Sequence, residues 1–504
     1  MLFPRGGQDT PTPLSVRVDS SLEGLSVGLP APFDKPADTL RRLQGELLFM
    51  PGGEQIESRG RIDDDLQWDI GFVKLNDAWD FDRGVLSLGG TNPVEPDVRG
   101  LHIQGQTPLV RVEDWLALSR GDGAQLGAGE RIRSVDIVVG DLYFLGQHLI
   151  DHRVRVDRSA RDWLVQLEGE YLSGSAFVPY DFSAASTLVL DMEHLILPGE
   201  TSGSDAASGV PRQLDPRTLP AISLRTNEFG LGVRRFGAVE AELVHSRTGL
   251  VAESIIATDD TFNIQAAARW EFDPLDSFGS RSYVTATLTS TDVVATMARL
   301  GYEPGIISDE LHMTFDMNWS GGPRADFLDT LDGEVQVRLG SGQLDEVEPG
   351  AGRMFGLMSI VALPRRLSLD FRDVFQKGFG FDRISGSFNL DDGTAYTCDL
   401  SLEGPAADIG IIGQADLVAG SYAQTAVVSP NVGSTLPVVG AIAAGPQVAA
   451  AMFLFSQIFK KPLKDIGQVY YSMSGPWDSP VIETADAEAF AESGRLANCL
   501  STEE

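Results

Sequence analysis

The sequence predicts a mostly β protein, with a long antiparallel sheet and a few short helices, on three observations. Apolar and polar residues alternate with a period of two in many short runs, as in Gly333–Gly340, where Val335, Val337 and Leu339 fall on one face. Turn sequences such as Asp391–Gly393 separate these runs. Glycine is frequent, with 54 residues, and proline reaches 27, which favours many turns over long helices.

Helical patterns are few and short. Thr291 and Gly301 read as the N-cap and the C-terminal stop of one helix, because threonine caps helix starts and glycine ends helices. Pro364 ends another. The four helical segments are 113–118, 292–300, 352–363 and 438–459.

The overall composition excludes some function classes. The chain has 504 residues, 42% of them hydrophobic, which is too apolar for a disordered protein. Its net charge of −33 makes nucleic acid an unlikely partner, since phosphate binding requires a basic face, and the acidity is best explained by a solvated outer surface. Two cysteines, Cys398 and Cys499, form neither a disulfide framework nor a zinc site. They allow one bridge in an oxidising compartment, and Cys499 lies in a polar tail, so cysteine usage leaves the compartment open.

Composition shifts divide the chain into five segments. Residues 198–217 are rich in Gly, Ser and Pro and have little to bury, which predicts a linker. The predicted segments are a β segment at 1–198, a flexible linker or loop at 199–217, a second β segment at 218–430, an apolar helical element at 431–466, and a final strand with an acidic tail at 467–504.

The predicted sheet has an apolar face and too few helices to cover it. Such a face can pack on a second sheet, close as a barrel, or curl into an open groove whose apolar lining meets a ligand. Alternation alone leaves these three arrangements open.

Signals of catalysis or metal binding are weak. His148 and His152 are four residues apart and could form a weak metal site, but two half-exposed histidines in a hairpin are the favoured interpretation. Asp63–Asp65 reads as a solvated turn, and Gly121–Gly127 as a loop, because a βαβ context is missing. We therefore predict no enzyme, no metal and no cofactor, although the abundant carboxylates leave a glycosidase pair open.

An uncharged segment of 22 residues, Val438–Phe459, lies near the C-terminus. Gly445 and Pro446 interrupt it, and lysines follow it directly, which fits two short helices that touch a membrane, a buried cap of the sheet, or, less well, a membrane span. The membrane-contact candidates are Val438, Val439, Ile442, Met452, Phe453, Leu454, Phe455, Ile458, Phe459, Lys460, Lys461 and Lys464.

Several ordered motifs resemble one protein family. Val347–Ala395, Leu402–Tyr422, Val427–Pro446 and Tyr471–Glu483 resemble the C-terminal portion of the YhdP family of AsmA-like, bridge-like lipid transfer proteins. Leu22–Ala37 and Leu188–Pro198 resemble the middle of the same family more weakly.

The resemblance implies a long twisted β-sheet curled into an extended apolar groove, with acyl chains in place of a second layer. It implies phospholipid transport between membranes toward the outer membrane, which maintains the envelope barrier. It places the chain in the periplasm of a Gram-negative bacterium, anchored in the inner membrane by a helix absent from this chain, with the C-terminal end near the outer membrane. The implied partners are phospholipids, both membrane surfaces and other envelope proteins.

Alternation supplies the candidate groove lining. These residues are Val335, Val337, Leu339, Leu367, Leu369, Phe371, Phe379, Phe381, Phe388 and Leu390. Two other functions remain open: an envelope assembly scaffold whose sheet is closed and dry, and an envelope hydrolase built on a β scaffold.

Overall fold

A computed structural model describes residues 13–93, 98–115, 131–144, 147–180, 183, 185–198, 215–303, 305–323, 327–344, 379–430, 469–485 and 499. The fold is mostly β, as predicted. The first eleven strands are β1 (Leu14–Ser20), β2 (Leu43–Phe49), β3 (Gln55–Ile62), β4 (Leu66–Leu75), β5 (Ala78–Leu88), β6 (Gly100–Arg111), β7 (Ile132–Phe144), β8 (Gln147–Arg158), β9 (Asp162–Glu168), β10 (Leu172–Pro179) and β11 (Thr187–Leu197).

Sixteen further strands follow in the described part of the chain. They are β12 (Ala221–Leu231), β13 (Arg234–His245), β14 (Gly249–Thr258), β15 (Phe262–Phe272), β16 (Ser280–Ser290), β17 (Ile306–Ser308), β18 (Leu311–Ser320), β19 (Asp332–Leu339), β20 (Gly342–Leu344), β21 (Phe379–Phe381), β22 (Arg383–Asp391), β23 (Thr394–Glu403), β24 (Ala407–Asp416), β25 (Ser421–Pro430), β26 (Val469–Pro476) and β27 (Val481–Ala485).

The chain divides into two compact units. The first comprises Met1–Phe182, Ser186–Ala207 and Leu224–Gly232, and the second comprises Ser183–Ala185, Ser208–Ser223 and Val233–Glu504. Residues 199–214 of the predicted linker lie outside the described residues, so the five predicted segments stay a prediction.

In the first unit, strands β1 to β11 pair with their neighbours in chain order. The pairing is antiparallel except that β5 with β6 and β6 with β7 run parallel. Parallel neighbours need a long return connection, and residues 89–99 and 112–131 provide the two returns. The sequence predicted an antiparallel sheet from its hairpin turns, and the sheet differs from that prediction at these two pairs because alternation carries no information about strand direction.

In the second unit, β13 to β16 continue through β18, β19 and β22 to β27 as one antiparallel ladder. The three short strands left out of this ladder, β17, β20 and β21, form a separate small sheet. One row of directly opposed side chains consists of Phe262, Ser290, Leu311, Leu339, Ile384, Leu402, Ile409, Val428 and Val469.

Helix α1 (Val293–Arg299) confirms the predicted helix but corrects its cap. Asp292 is the N-cap, because its side-chain Oδ1 accepts a hydrogen bond from the Ala295 backbone N–H at 3.0 Å. The sequence had placed the cap one residue earlier, at Thr291. Gly301 ends the helix as predicted, with φ of +77°, a conformation that glycine adopts without strain.

Of the other predicted helices, the one at 113–118 is helical over 112–115 and passes out of the described residues at 116. The predicted helices at 352–363 and 438–459 also lie outside the described residues.

A disulfide joins Cys398 of β23 to Cys499, 101 residues later in the chain. Cys398 lies where the ladder of β23 with β24 shifts register between Thr397 and Leu400, so its position is a bulge rather than a regular pair. Cys499 is buried, and its sulfur lies 4.0 Å from the Thr397 carbonyl oxygen. The predicted polar tail is therefore covalently fixed at this residue.

Candidate functional site

One face of the first unit carries a continuous apolar row that crosses strands β1 to β11. Each member lies directly opposite the next one, so the row runs perpendicular to the strands. We call it the central apolar row, and it consists of Val18, Gly45, Gly60, Trp68, Leu86, Ile103, Val135, Val156, Val165, Ala176 and Leu190.

A second apolar row lies two residues along strands β2 to β11 on the same face, and Ser20 occupies the corresponding position in β1. It consists of Leu43, Ile62, Leu66, Leu88, Gly105, Ile137, Val154, Leu167, Gly174 and Met192. Side chains two residues apart in a strand point to the same side, so the two rows together form a single apolar surface. Nothing polar separates them on that side.

The residues between the two rows point to the opposite face and are polar on every strand. This polar row consists of Asp19, Gln44, Arg61, Gln67, Ser87, Gln104, Asp136, Arg155, Gln166, Ser175 and Asp191. Cross-strand bonds connect several of its members; for example, Arg61 donates to Gln44 at 2.8 Å. Hydrogen bonds from Arg153 lower the pKa of Asp136, which keeps this carboxylate charged on the solvated face. The first unit is thus an amphipathic sheet with one apolar and one polar face.

Most side chains of the apolar surface are only half-buried. Val18 at one end is 44% exposed, whereas Ala176, Leu88 and Met192 are buried. Glycines make room for the largest ring: a Cβ at Gly60 would lie 2.3 Å from Trp68 Cζ2, so only glycine allows the indole to lie flat across β3. The indole Nε1 donates to Ser58 Oγ at 3.0 Å, which leaves the ring surface apolar. Open apolar surfaces of this extent are typical of sites that bind a ligand, a membrane or another protein.

His152 lies on the apolar side of the same unit, opposite Val139, and is fully buried. Its Nε2 accepts a hydrogen bond from the Leu172 backbone N–H at 3.3 Å, and its Nδ1 lies 3.0 Å from the Ile150 carbonyl oxygen. The two partners together require a neutral ring with the proton on Nδ1. Burial lowers the pKa of His152, and the nearby His194 acts in the same direction.

The first unit should therefore lose stability as the pH falls. A histidine whose pKa is lower in the folded state binds protons more readily when unfolded, so protonation below its unfolded pKa of about 6.5 favours unfolding. Replacing His152 with glutamine (H152Q) should flatten the pH dependence of the unfolding midpoint between pH 7 and 5. Thermal melts between pH 7 and 5 measure this pH dependence. The control is H312Q, which removes an exposed imidazole from β18. A wild-type slope retained in H152Q would contradict the assignment.

Seven of the ten predicted lining residues lie among the described residues of the second unit. Val335, Val337, Leu339, Phe379, Phe381, Phe388 and Leu390 lie together in one hydrophobic cluster and are between 1% and 6% exposed. The structure brings these residues together, with Phe379 and Phe381 on the small sheet and the other five on the long ladder. Their role as a lipid lining stays a prediction. Leu367, Leu369 and Phe371 lie outside the described residues, as do all twelve membrane-contact candidates from Val438 to Lys464.

This cluster is covered by other parts of its own unit. Val293 and Met297 of α1 pack into it, and so do Ile306 of β17 and Leu344 of β20. The small sheet and the helix therefore lie over the long ladder where the sequence had predicted an uncovered face. The first unit, whose apolar rows the sequence analysis did not select, has the more open surface. Its signal was the same alternation, for example at Leu188 and Leu190, but the register of eleven strands was needed to align the rows.

The candidate catalytic and metal-binding residues have ordinary structural partners. His148 Nε2 lies 2.7 Å from Asp141 Oδ1, and the His148 ring stacks on Tyr143. Asp63 lies in a turn and accepts hydrogen bonds from the side chain of Arg41 and the backbone of Arg42. Within the described ranges, no group of three or more His, Cys, Asp or Glu residues could hold a metal ion. In the same ranges, no helix has the length and apolar character needed to cross a bilayer.

Comparison with known proteins supplies an independent line of evidence. The family model described as "YhdP protein" matches residues 4–482. The chain is also 24% identical over 489 residues to the protein named "Intermembrane phospholipid transporter YhdP" of Escherichia coli (strain K12), which covers 93% of this chain. The chain spans only 37% of that relative's length.

Proposed function

Because this chain belongs to the YhdP family, we propose that it carries phospholipids between the membranes of a bacterial envelope, with their acyl chains on the apolar surface of the first unit. The observation that supports this most directly is the central apolar row, which crosses eleven strands without a polar side chain. The relative from Escherichia coli is named an intermembrane phospholipid transporter, which agrees with this proposal.

The dimensions of the row suit acyl chains. Ten steps between neighbouring strands, at about 4.8 Å each, give a strip roughly 48 Å long. One leaflet of acyl chains occupies roughly 15 Å, half of a bilayer core of about 30 Å, so several lipids can follow one another along the row. Each methylene group removed from water contributes about 0.8 kcal/mol to the free energy of binding. Because the apolar contacts are uniform along the row, a lipid can move along it without meeting a deep energy minimum.

We further propose that the protein is located in the periplasm. The disulfide between Cys398 and Cys499 supports an oxidising compartment such as the periplasm, because disulfides are rare in the reducing cytosol. We propose that transport is directed toward the outer membrane and maintains the envelope barrier. In this proposal the apolar segment Val438–Phe459, with the lysines after it, contacts a membrane surface, and envelope proteins are further partners.

A scaffold role is the second candidate for the second unit alone. Its apolar face is covered by α1 and the small sheet, so this part of the chain packs like an ordinary protein core. A closed and dry second unit would position the first unit rather than carry lipid itself.

Side-specific photocrosslinking tests the transport surface. A photoreactive phenylalanine analogue at Trp68, Ile103 or Val165 should capture phospholipid in cells, because these positions belong to the central apolar row. The matched controls are the adjacent residues Gln67, Gln104 and Gln166, which belong to the polar row on the opposite face. Mass spectrometry of the adducts identifies the lipid. Equal capture on both faces, or capture on neither by folded protein, would refute the proposal.

A further inference from the structure

The apolar surface of the first unit ends in aromatic rings at one end of its strands. This is the end at which β4, β8 and β10 finish and β5, β7 and β9 begin. Phe72 and Phe81 are directly opposed there, with ring centroids 6.2 Å apart in an edge-to-face arrangement. Trp163 and Tyr180 form a second edge-to-face pair at 5.3 Å. Trp163 lies two residues from Val165 in β9, so it continues the same apolar face.

A guanidinium group lies over each aromatic pair. The Arg131 Cζ atom is 5.8 Å from the Phe81 ring centroid. The Arg158 Cζ atom is 5.4 Å from the Trp163 centroid and 5.0 Å from that of Tyr180. Arg158 follows Val156 by two residues in β8, so it also belongs to the apolar face. We call these six residues, Phe72, Phe81, Trp163, Tyr180, Arg131 and Arg158, the aromatic–arginine rim.

The rim is a basic feature on an acidic protein. The chain has 39 Lys and Arg residues against 72 Asp and Glu residues. At the rim, the Arg133 guanidinium donates to the Arg158 backbone carbonyl oxygen at 3.0 Å, which places a third arginine beside the ends of β7 and β8. Arg131 has Asp80 as an ion-pair partner at 3.8 Å, and both side chains are 52% exposed. An exposed pair at this distance contributes little energy, so an incoming anion can replace it.

This arrangement matches the layout of a membrane lipid. A phospholipid carries its phosphate next to its hydrocarbon, and on this sheet the rim borders the apolar surface at the strand ends. Aromatic rings suit the boundary, because they bury an apolar body next to polar groups. Guanidinium groups bind phosphate oxygens with two parallel N–H···O bonds, and stacking on rings fixes their orientation.

We propose that the aromatic–arginine rim binds the phosphate of the transported lipid, with Arg131 and Arg158 as donors, while the acyl chains lie on the apolar rows. This inference rests on the proposed function and adds the part of the lipid that is recognised: the phosphate, whichever group it is esterified to. It also sets the lipid's orientation, with the headgroup at the end of the strands where the rim lies.

The test compares two lipids that differ only by the phosphate. Purified full chain is incubated with vesicles that contain dioleoylphosphatidic acid and dioleoylglycerol in equal amounts, and bound lipid is quantified by mass spectrometry. Wild-type protein should bind the phosphatidic acid preferentially. The double variant R131Q/R158Q should lose about tenfold or more of this preference, since hydrogen bonds to charged groups are the stronger ones, and should keep its total lipid. R131K/R158K, which keeps the charge but not the paired N–H donors, should lose less.

The control variant is R59Q/R155Q, which removes two arginines from the polar face, Arg155 lying on the same strand as Arg158. It should keep the wild-type preference. An unchanged preference in lipid-loaded R131Q/R158Q would overturn the rim assignment and leave the transport surface intact. Wild-type protein that takes up neither lipid would overturn the proposed function, and the rim assignment with it. If the double variant does not fold, the single variant R131Q, at a half-exposed position, answers the same question.

Discussion

Replacing Val165 with aspartate (V165D) should slow lipid transfer by about 100-fold and leave the chain folded. Val165 is half-buried in the central apolar row, directly opposite Val156 and Ala176. A carboxylate against hydrocarbon costs about 2.5–3.5 kcal/mol, and every 1.4 kcal/mol is roughly a factor of ten. In the empty protein the same carboxylate reaches water, so the loss should appear in transport rather than in stability. V165A, which removes only methyl groups, should have a mild effect.

The matched control for V165D is Q166D. Gln166 is the next residue in β9, is exposed, and faces the polar side. Transfer of a fluorescent phospholipid between donor and acceptor vesicles measures the rate, and thermal melts report whether each variant folds. If V165D and Q166D transfer lipid equally well, acyl chains do not use the central apolar row.

Truncating Phe388 to alanine (F388A) should destabilise the second unit by about 3–5 kcal/mol, the usual cost of emptying a buried aromatic position. Phe388 is 1% exposed and lies opposite Val335 in the ladder of β19 with β22. The ring lies in a buried cluster that α1 and the small sheet also contact, so its removal should leave a cavity that relaxes only partially. Hydrogen exchange of peptides from β19 and β22 should accelerate, which reports on this unit separately from the first.

F72A is the corresponding change in the first unit, because Phe72 occupies a half-buried position on the open face. F72A should lower the free energy of unfolding by clearly less than F388A does, since part of the Phe72 ring already contacts solvent. The same substitution is thus expected to lower the free energy of unfolding more in the second unit than in the first. An F388A variant that keeps its stability but loses lipid transfer would show that Phe388 lines a lipid path, as its alternation in the sequence predicted.

The sequence predicted local features well because they depend on near neighbours. Val335, Val337 and Leu339 do share one face of β19, and Gly301 does end α1. Whether an apolar face is covered depends on distant segments, such as α1 and β17 over the second ladder, and alternation does not reveal them. The same reason hid the parallel strands β5, β6 and β7, the indole of Trp68 above Gly60, and the partner of Cys398. The rim was missed because Arg131 meets Phe81, and Arg158 meets Tyr180, only through the register of the strands.

The disulfide between Cys398 and Cys499 determines how the chain responds to mechanical force. Tension applied at the two termini passes along the backbone to Cys398, through the sulfur–sulfur bond, and out at Cys499. Strands β24 to β27 and the apolar segment Val438–Phe459 lie between these two residues in sequence and are bypassed. Under such tension the other parts of the chain would therefore stretch first. With its C-terminal loop closed covalently, the chain keeps these strands out of the line of tension.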